Sequence, residues 1–158
     1  MFKKTVLPNG VRVVTETIPY VKSVSLGFWL GTGSRYEDAD NHGVAHFIEH
    51  LLFKGTEKRS AKDIAEAADE IGGQMNAFTA KECTCYYMRV LDYHLPRAFD
   101  ILSDMLMNST FKEDDVERER EVVLEEEKMV EDAPDDLVHE LHFARSWSDH
   151  RLGSSILG

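Results

Sequence analysis

His46-Phe47-Ile48-Glu49-His50, set in the apolar run Val44 to Phe53, puts two imidazoles and one carboxylate close together on a helix. Positions i and i+4 stack on one face, so His46 and His50 can offer ring nitrogens to one metal ion. Glu49, three residues after His46, points into nearly the same quadrant. A carboxylate beside such an ion suits a general base that takes a proton from a water the metal has made acidic. Val44, Ala45, Phe47, Ile48, Leu51, Leu52 and Phe53 leave only a narrow polar arc, which these three residues fill, so the spacing predicts a buried helix rather than a solvated face. Burying two imidazoles and a carboxylate without partners is costly, and a divalent cation compensates them most directly.

A metal held by two imidazoles usually takes a third protein ligand, and a catalytic zinc site leaves its fourth position open. The stretch Lys112 to Asp136 is acidic enough to read as a solvated charged helix by composition. Its periodicity narrows that reading. At about 100° per residue, Val116, Val122, Val123, Met129 and Val130 gather into one arc, and Glu119 and Glu126 fall near its middle. Glu117, Glu121, Glu125, Glu131 and Asp132 fall elsewhere. Asp115 also lies within the arc, and Leu124 and Glu127 lie near its edge or off it. The third ligand is therefore expected to be Glu119 or Glu126, and the wheel leaves both open.

His46-x-x-Glu49-His50 is the inverted form of the HExxH zinc signature, and the sequence around it resembles the insulysin, pitrilysin and mitochondrial processing peptidase family. The similar segments are Leu7 to Val13, Gly31 to Glu37, Gly43 to Phe47 with Phe53 to Thr56, Asn76 to Thr79, and Glu117-Arg118-Glu119 leading into Val123 to Glu126. Together they span essentially the whole chain. The resemblance implies a zinc-dependent endopeptidase with one zinc ion per chain, His46, His50 and Glu126 as ligands, and Glu49 as general base. It implies Glu119 as a second catalytic glutamate that supports the site without being the usual ligand. It further implies that Asn76, Ala77 and Phe78 bind an extended peptide substrate, backbone to backbone, along an edge strand. No Gly-x-Ser-x-Gly elbow offers a competing nucleophile.

Around these residues the pattern predicts a platform. Val6 to Val14 reads as a hairpin about a two-residue Asn9-Gly10 turn, and Ser23 to Leu30 as an apolar strand. Ser60 opens a helix through Ile71, with Asp63 in the capping-box position and Gly72-Gly73 as its stop. Gln74 to Thr79 and Cys83 to Leu91 follow as strands. Leu95, Ala98, Phe99, Leu102, Met105 and Leu106 repeat at helical spacing and predict a packed helix from Tyr93 to Asn108. Pro134 divides the acidic helix from a last one, Asp135 to about Trp147. The expected class is α+β, an antiparallel-rich sheet carrying helices, with the metal-site helix facing the acidic one.

With 158 residues and a net charge of −11, the chain can bury one sizeable core, and its charge argues against nucleic acid as a partner. No apolar run approaches the roughly 18 residues of a membrane span. Cys83 and Cys85 lie two apart on one strand, a poor disulfide, which predicts a reducing, cytoplasmic setting. Residues 1–158 are expected to form a single N-terminal metallopeptidase domain, incomplete at its C-terminal end. Arg151 to Gly158 resembles an internal connector, and the resemblance implies a second half of a clamshell that is missing here. That half, or a second copy, is an expected partner. The isolated chain is accordingly expected to hold metal but to be weak or inactive as a peptidase. The alternative on the same fold is a non-catalytic peptide-binding or scaffold subunit.

Overall fold

The computed structural model describes residues 2–158. Strands β1 (Phe2–Val6) and β2 (Arg12–Glu16) form a separate antiparallel pair. Their reversal differs from the expected two-residue turn. Gly10 N–H donates to Leu7 O at 2.9 Å, Leu7 N–H donates to Val11 O at 2.8 Å, and Gly10 alone takes a positive φ of 88°. The chain therefore turns at Pro8-Asn9, with Gly10 as the left-handed residue of a three-residue loop. Pro8 explains the choice, because its fixed φ suits the first central position of such a turn.

The main sheet has the order β3 (Ser23–Leu30), β5 (Thr84–Leu91), β4 (Gln74–Thr79), all antiparallel. Its strands alternate. Val24, Leu26, Phe28, Met75, Ala77, Met88 and Val90 turn toward α2 (Ala61–Glu70) and α3 (Leu95–Asn108). There they meet Ile64, Ala67, Ala68, Ala98, Ile101, Leu102 and Met105 in the core. Helix α2 begins and ends where its sequence directs. Ser60 and Asp63 complete the reciprocal capping box, and Gly72, at φ +59°, lets the N–H of Gly73 close on Ala68 O.

Three further helices carry the site: α1 (Val44–Leu52), α4 (Glu113–Asp132) and α5 (Pro134–Ser146), which starts with proline in its first turn. Helix α1 packs against both β4 and α4. It is less enclosed than its composition suggests, since Val44 and Ile48 face outward at 37% and 38% exposure. The arc on α4 is narrower too. Val116, Glu119, Val123, Glu126 and Val130 turn inward, whereas Val122 and Met129 are exposed. A single packed neighbour along this seam covers a stripe spaced three and four residues apart, and the flanks stay in water.

Two clamps fix the ends of α1. At its C-terminal side, the buried Asp104 of α3 accepts hydrogen bonds from Thr56, Arg59 and Asn108, which ties down the turn after the helix. At its N-terminal side, the tip of the β4–β5 hairpin lies on Gly33, where an added Cβ would come within 2.1 Å of Ala80 O. Arg35 N–H donates to Lys81 O at 2.8 Å, and its guanidinium pairs with Glu82.

Candidate metal centre

Helix α1 is preceded by Gly43, whose φ of +82° and missing side chain leave the helix start without a capping side chain of its own. Glu37 supplies one from outside. Its buried carboxylate accepts from Gly43 N–H and Ala45 N–H, each at 2.8 Å. A negative charge at a helix N-terminus is favourable, and here it also satisfies orphan donors.

One turn on, the histidine rings meet edge to face with centroids 4.7 Å apart. Glu126 of α4 reaches between them, its Oε2 3.7 Å from His46 Nε2 and 3.4 Å from His50 Nε2. Such spacings are longer than ordinary hydrogen bonds. They match donor atoms around a common tetrahedral ion, since ligands each about 2.1 Å from zinc stand roughly 3.4 Å apart. His46 Nδ1 is buried without a hydrogen-bond partner among the described residues. Burial, and then the neighbouring His50, lower the His46 pKa from its ordinary 6.5. The ring is therefore neutral at neutral pH, the form that can ligate. Two imidazole nitrogens and a carboxylate converging within 4.8 Å of one another fit a borderline cation such as zinc.

Glu119, two turns before Glu126, does different work. Its Oε2 stands 3.2 Å from His50 Nδ1, and its Oε1 stands 2.6 Å from Lys54 Nζ. The ring nitrogen facing Glu119 is thus the one facing away from Glu126. A carboxylate behind a histidine fixes its tautomer and leaves Nε2 free to ligate. Of the two glutamates that the helical wheel left open, Glu126 faces both Nε2 atoms and Glu119 faces only the far side of His50.

Glu49 shares with His46 a cleft of about 430 Å³, which Ala77, Phe78 and Thr79 of β4 and Asp136, His139 and Glu140 around α5 also line. The Thr79 hydroxyl donates to Glu49 Oε2 at 2.5 Å. Behind them lies the buried Tyr86, whose phenol pKa is pushed up first by burial and then by the Glu49 carboxylate. The free edge of β4 faces this region. Ala80 and Cys83 form a bonded pair at the hairpin end, so by alternation the main-chain groups of Met75, Ala77 and Thr79 point away from β5. Asn76 is exposed, and its Oδ1 accepts from Ala77 N–H at 2.9 Å. Of the three residues expected to bind peptide, Ala77 and Phe78 line the cleft and Asn76 caps the edge beside it.

Sequence reasoning assigned no role to Glu37, Lys54 or Thr79. Only Glu37 left a signal, a helix start with no capping side chain of its own. Cys83 and Cys85 are free thiols, and burial followed by the neighbouring Cys83 raises the Cys85 pKa. Among the described residues, no helix is long and apolar enough to cross a membrane.

Comparison with known proteins gives this geometry a context. Over its whole length the chain is 53% identical to YmxG, an uncharacterized zinc protease of Bacillus subtilis, of which it covers 39%. It is likewise 53% identical to an uncharacterized zinc protease of Streptomyces coelicolor, covering 99% of this chain and 34% of that one. The chain thus spans under two-fifths of the length of these relatives. A protease from Helicobacter pylori superposes with a TM-score of 0.93 at 25% identity, over 100% of this chain and 38% of that one. A peptidase M16 inactive domain from Pseudomonas fluorescens shares the fold, with a TM-score of 0.89 at 18% identity over 99% of this chain and 38% of that one. The family described as insulinase, peptidase family M16, matches residues 12–158, and the chain belongs to that family of peptidases.

Proposed function

We propose that this chain is the metal-bearing and base-bearing part of a zinc-dependent endopeptidase. The observation that carries the reading is the convergence of His46, His50 and Glu126 beside Glu49, in a cleft walled by the free edge of β4. His46 Nε2, His50 Nε2 and a Glu126 oxygen hold one zinc ion. Bound there, zinc supplies a Lewis acid that polarises a carbonyl and acidifies water.

The chain's own groups perform the rest. An extended peptide adds to the edge of β4, exchanging main-chain hydrogen bonds with Ala77 while its carbonyl displaces the Asn76 side chain from Ala77 N–H. Phe78 and Ala77 give the paired segment an apolar wall. Glu49 accepts a proton from the attacking water and delivers it to the departing amine nitrogen, so the peptide bond is hydrolysed without a covalent enzyme intermediate. Glu119 holds His50, and Lys54 holds Glu119. Free cysteines support a reducing compartment, which for this reading is the cytoplasm.

The chain spans under two-fifths of the length of its relatives, and in this reading full activity depends on a further half or a second copy. The test pairs zinc content with hydrolysis of an unstructured peptide. The isolated chain is expected to take up zinc and to turn over weakly or not at all, with any turnover abolished by a chelator and by Glu49→Gln. Brisk turnover by the chain alone would overturn its dependence on a second half. Failure to take up supplied zinc would overturn the metallopeptidase reading in favour of a scaffold or peptide-binding subunit.

A further inference from the structure

We propose that Thr79 is a positioning residue for Glu49, and that through it a single strand aligns both the base and the peptide it acts on. The inference rests on the metallopeptidase reading above. Glu49 reaches into the cleft on a side chain with three rotatable bonds, and a general base must be held within hydrogen-bond reach of its proton. The Thr79 hydroxyl, donating at 2.5 Å, takes Oε2 and leaves Oε1 to receive that proton.

Thr79 is itself held. Its β-branched side chain has few rotamers open to it, and its cross-strand partner Thr84 is buried directly alongside. Thr84 donates its one hydroxyl proton to Thr32 O at 3.1 Å, so its Oγ1, 3.5 Å from Thr79 Oγ1, makes a packing contact there and not a hydrogen bond. Thr79 is thus fixed by its own restricted rotamers and by packing against buried Thr84, which is tied to the main chain of the loop after β3. The other fact is topological. Thr79 is the last residue of β4, two residues beyond Ala77 on the same edge. A peptide paired along β4 is therefore registered against the strand that holds the carboxylate, and the reacting carbonyl and base keep their relative placement without a separate closing movement.

The test compares Thr79→Val, which keeps the shape and removes the hydroxyl, with Thr79→Ser, which keeps the hydroxyl, in the whole native protein loaded with zinc. Thr79→Val is expected to lower kcat by about 10- to 100-fold, the range seen when outer-shell partners of a metal site are removed. KM and zinc content should stay unchanged, and Thr79→Ser should recover most of the loss. Crystal structures of the same variants give a readout independent of turnover: Glu49 ordered in place in the parent and Thr79→Ser, displaced or in several rotamers in Thr79→Val. An undisturbed Glu49 in Thr79→Val would overturn the proposal, as would an unchanged kcat or a loss that appears only in KM or in zinc content. If Glu49→Gln leaves the zinc-loaded protein fully active, the metallopeptidase reading fails on its own, and the crystallographic comparison still decides whether Thr79 holds Glu49.

Discussion

Glu119 stands behind the His50 ring, its Oε2 3.2 Å from Nδ1, while the opposite nitrogen of the same ring lies 3.4 Å from Glu126. One imidazole thus joins two glutamates two turns apart on α4, and its two nitrogens give them different duties. Lys54 completes the line at 2.6 Å from the other Glu119 oxygen. Removing either outer partner should loosen His50 without deleting a donor. Glu119→Gln and Lys54→Met are each expected to weaken zinc binding by about 10- to 100-fold. Competition against a chromophoric chelator reads this directly, and parent-like affinity in both variants would refute the chain from lysine to ring.

Glu37 is the outside cap of α1, accepting two amides at the helix start. In Glu37→Ala those buried donors lose their partner, at a cost of about 1–3 kcal/mol. The denaturant midpoint of the metal-free protein should fall, and zinc affinity should fall with it because both histidines ride on that helix.

Gly33 sits under the hairpin tip with no room for a methyl group. Its backbone is extended, so the constraint is steric alone: a Cβ would lie 2.1 Å from Ala80 O and 2.9 Å from Lys81 O. Gly33→Ala should cost roughly 1–3 kcal/mol, the usual penalty of forcing atoms into packed space. Because Thr79 adjoins that tip, turnover should suffer more than zinc content. Thermal unfolding and a peptide assay on the same samples check both parts.

Acid should unfold the metal-free protein partly through Asp104. Burial alone would raise its pKa, but hydrogen bonds from Asn108, Thr56 and Arg59 outweigh that and hold it below its ordinary 3.8. A carboxyl with a depressed folded-state pKa stabilises the fold at pH values above the unfolded value. That stability disappears as pH falls below 3.8 toward the folded value. Asp104→Asn should therefore be less stable than the parent at pH 7, and the gap should close as the pH drops through that window. Denaturant titrations from pH 7 to the acid limit of folding measure it, and a gap independent of pH would contradict the assignment.

Much of this arrangement is legible in the sequence wherever local chemistry decides it. Ser60 with Asp63 and Gly72 with Gly73 set both ends of α2, and His46, Glu49 and His50 announce themselves by spacing within one helix. The hairpin reverses one residue earlier than the strong Asn9-Gly10 signal predicts, because Pro8 outranks it through its fixed φ. Val122 and Met129 fit the apolar arc of α4 yet face water, since a wheel cannot tell how wide a neighbour the helix will meet. Glu37, Lys54 and Thr79 escaped because each works through space. Glu119 is distant in sequence from Lys54, and Thr79 from Glu49, so no periodicity links them.

The central claim is that His46, His50 and Glu126 hold one zinc ion, and metal content by mass spectrometry on the purified parent and on Glu126→Gln tests it most directly. The account predicts near-stoichiometric zinc in the parent and its loss in the folded variant. A parent that binds no zinc when supplied with it, or a Glu126→Gln variant that keeps its full complement, would contradict the assignment.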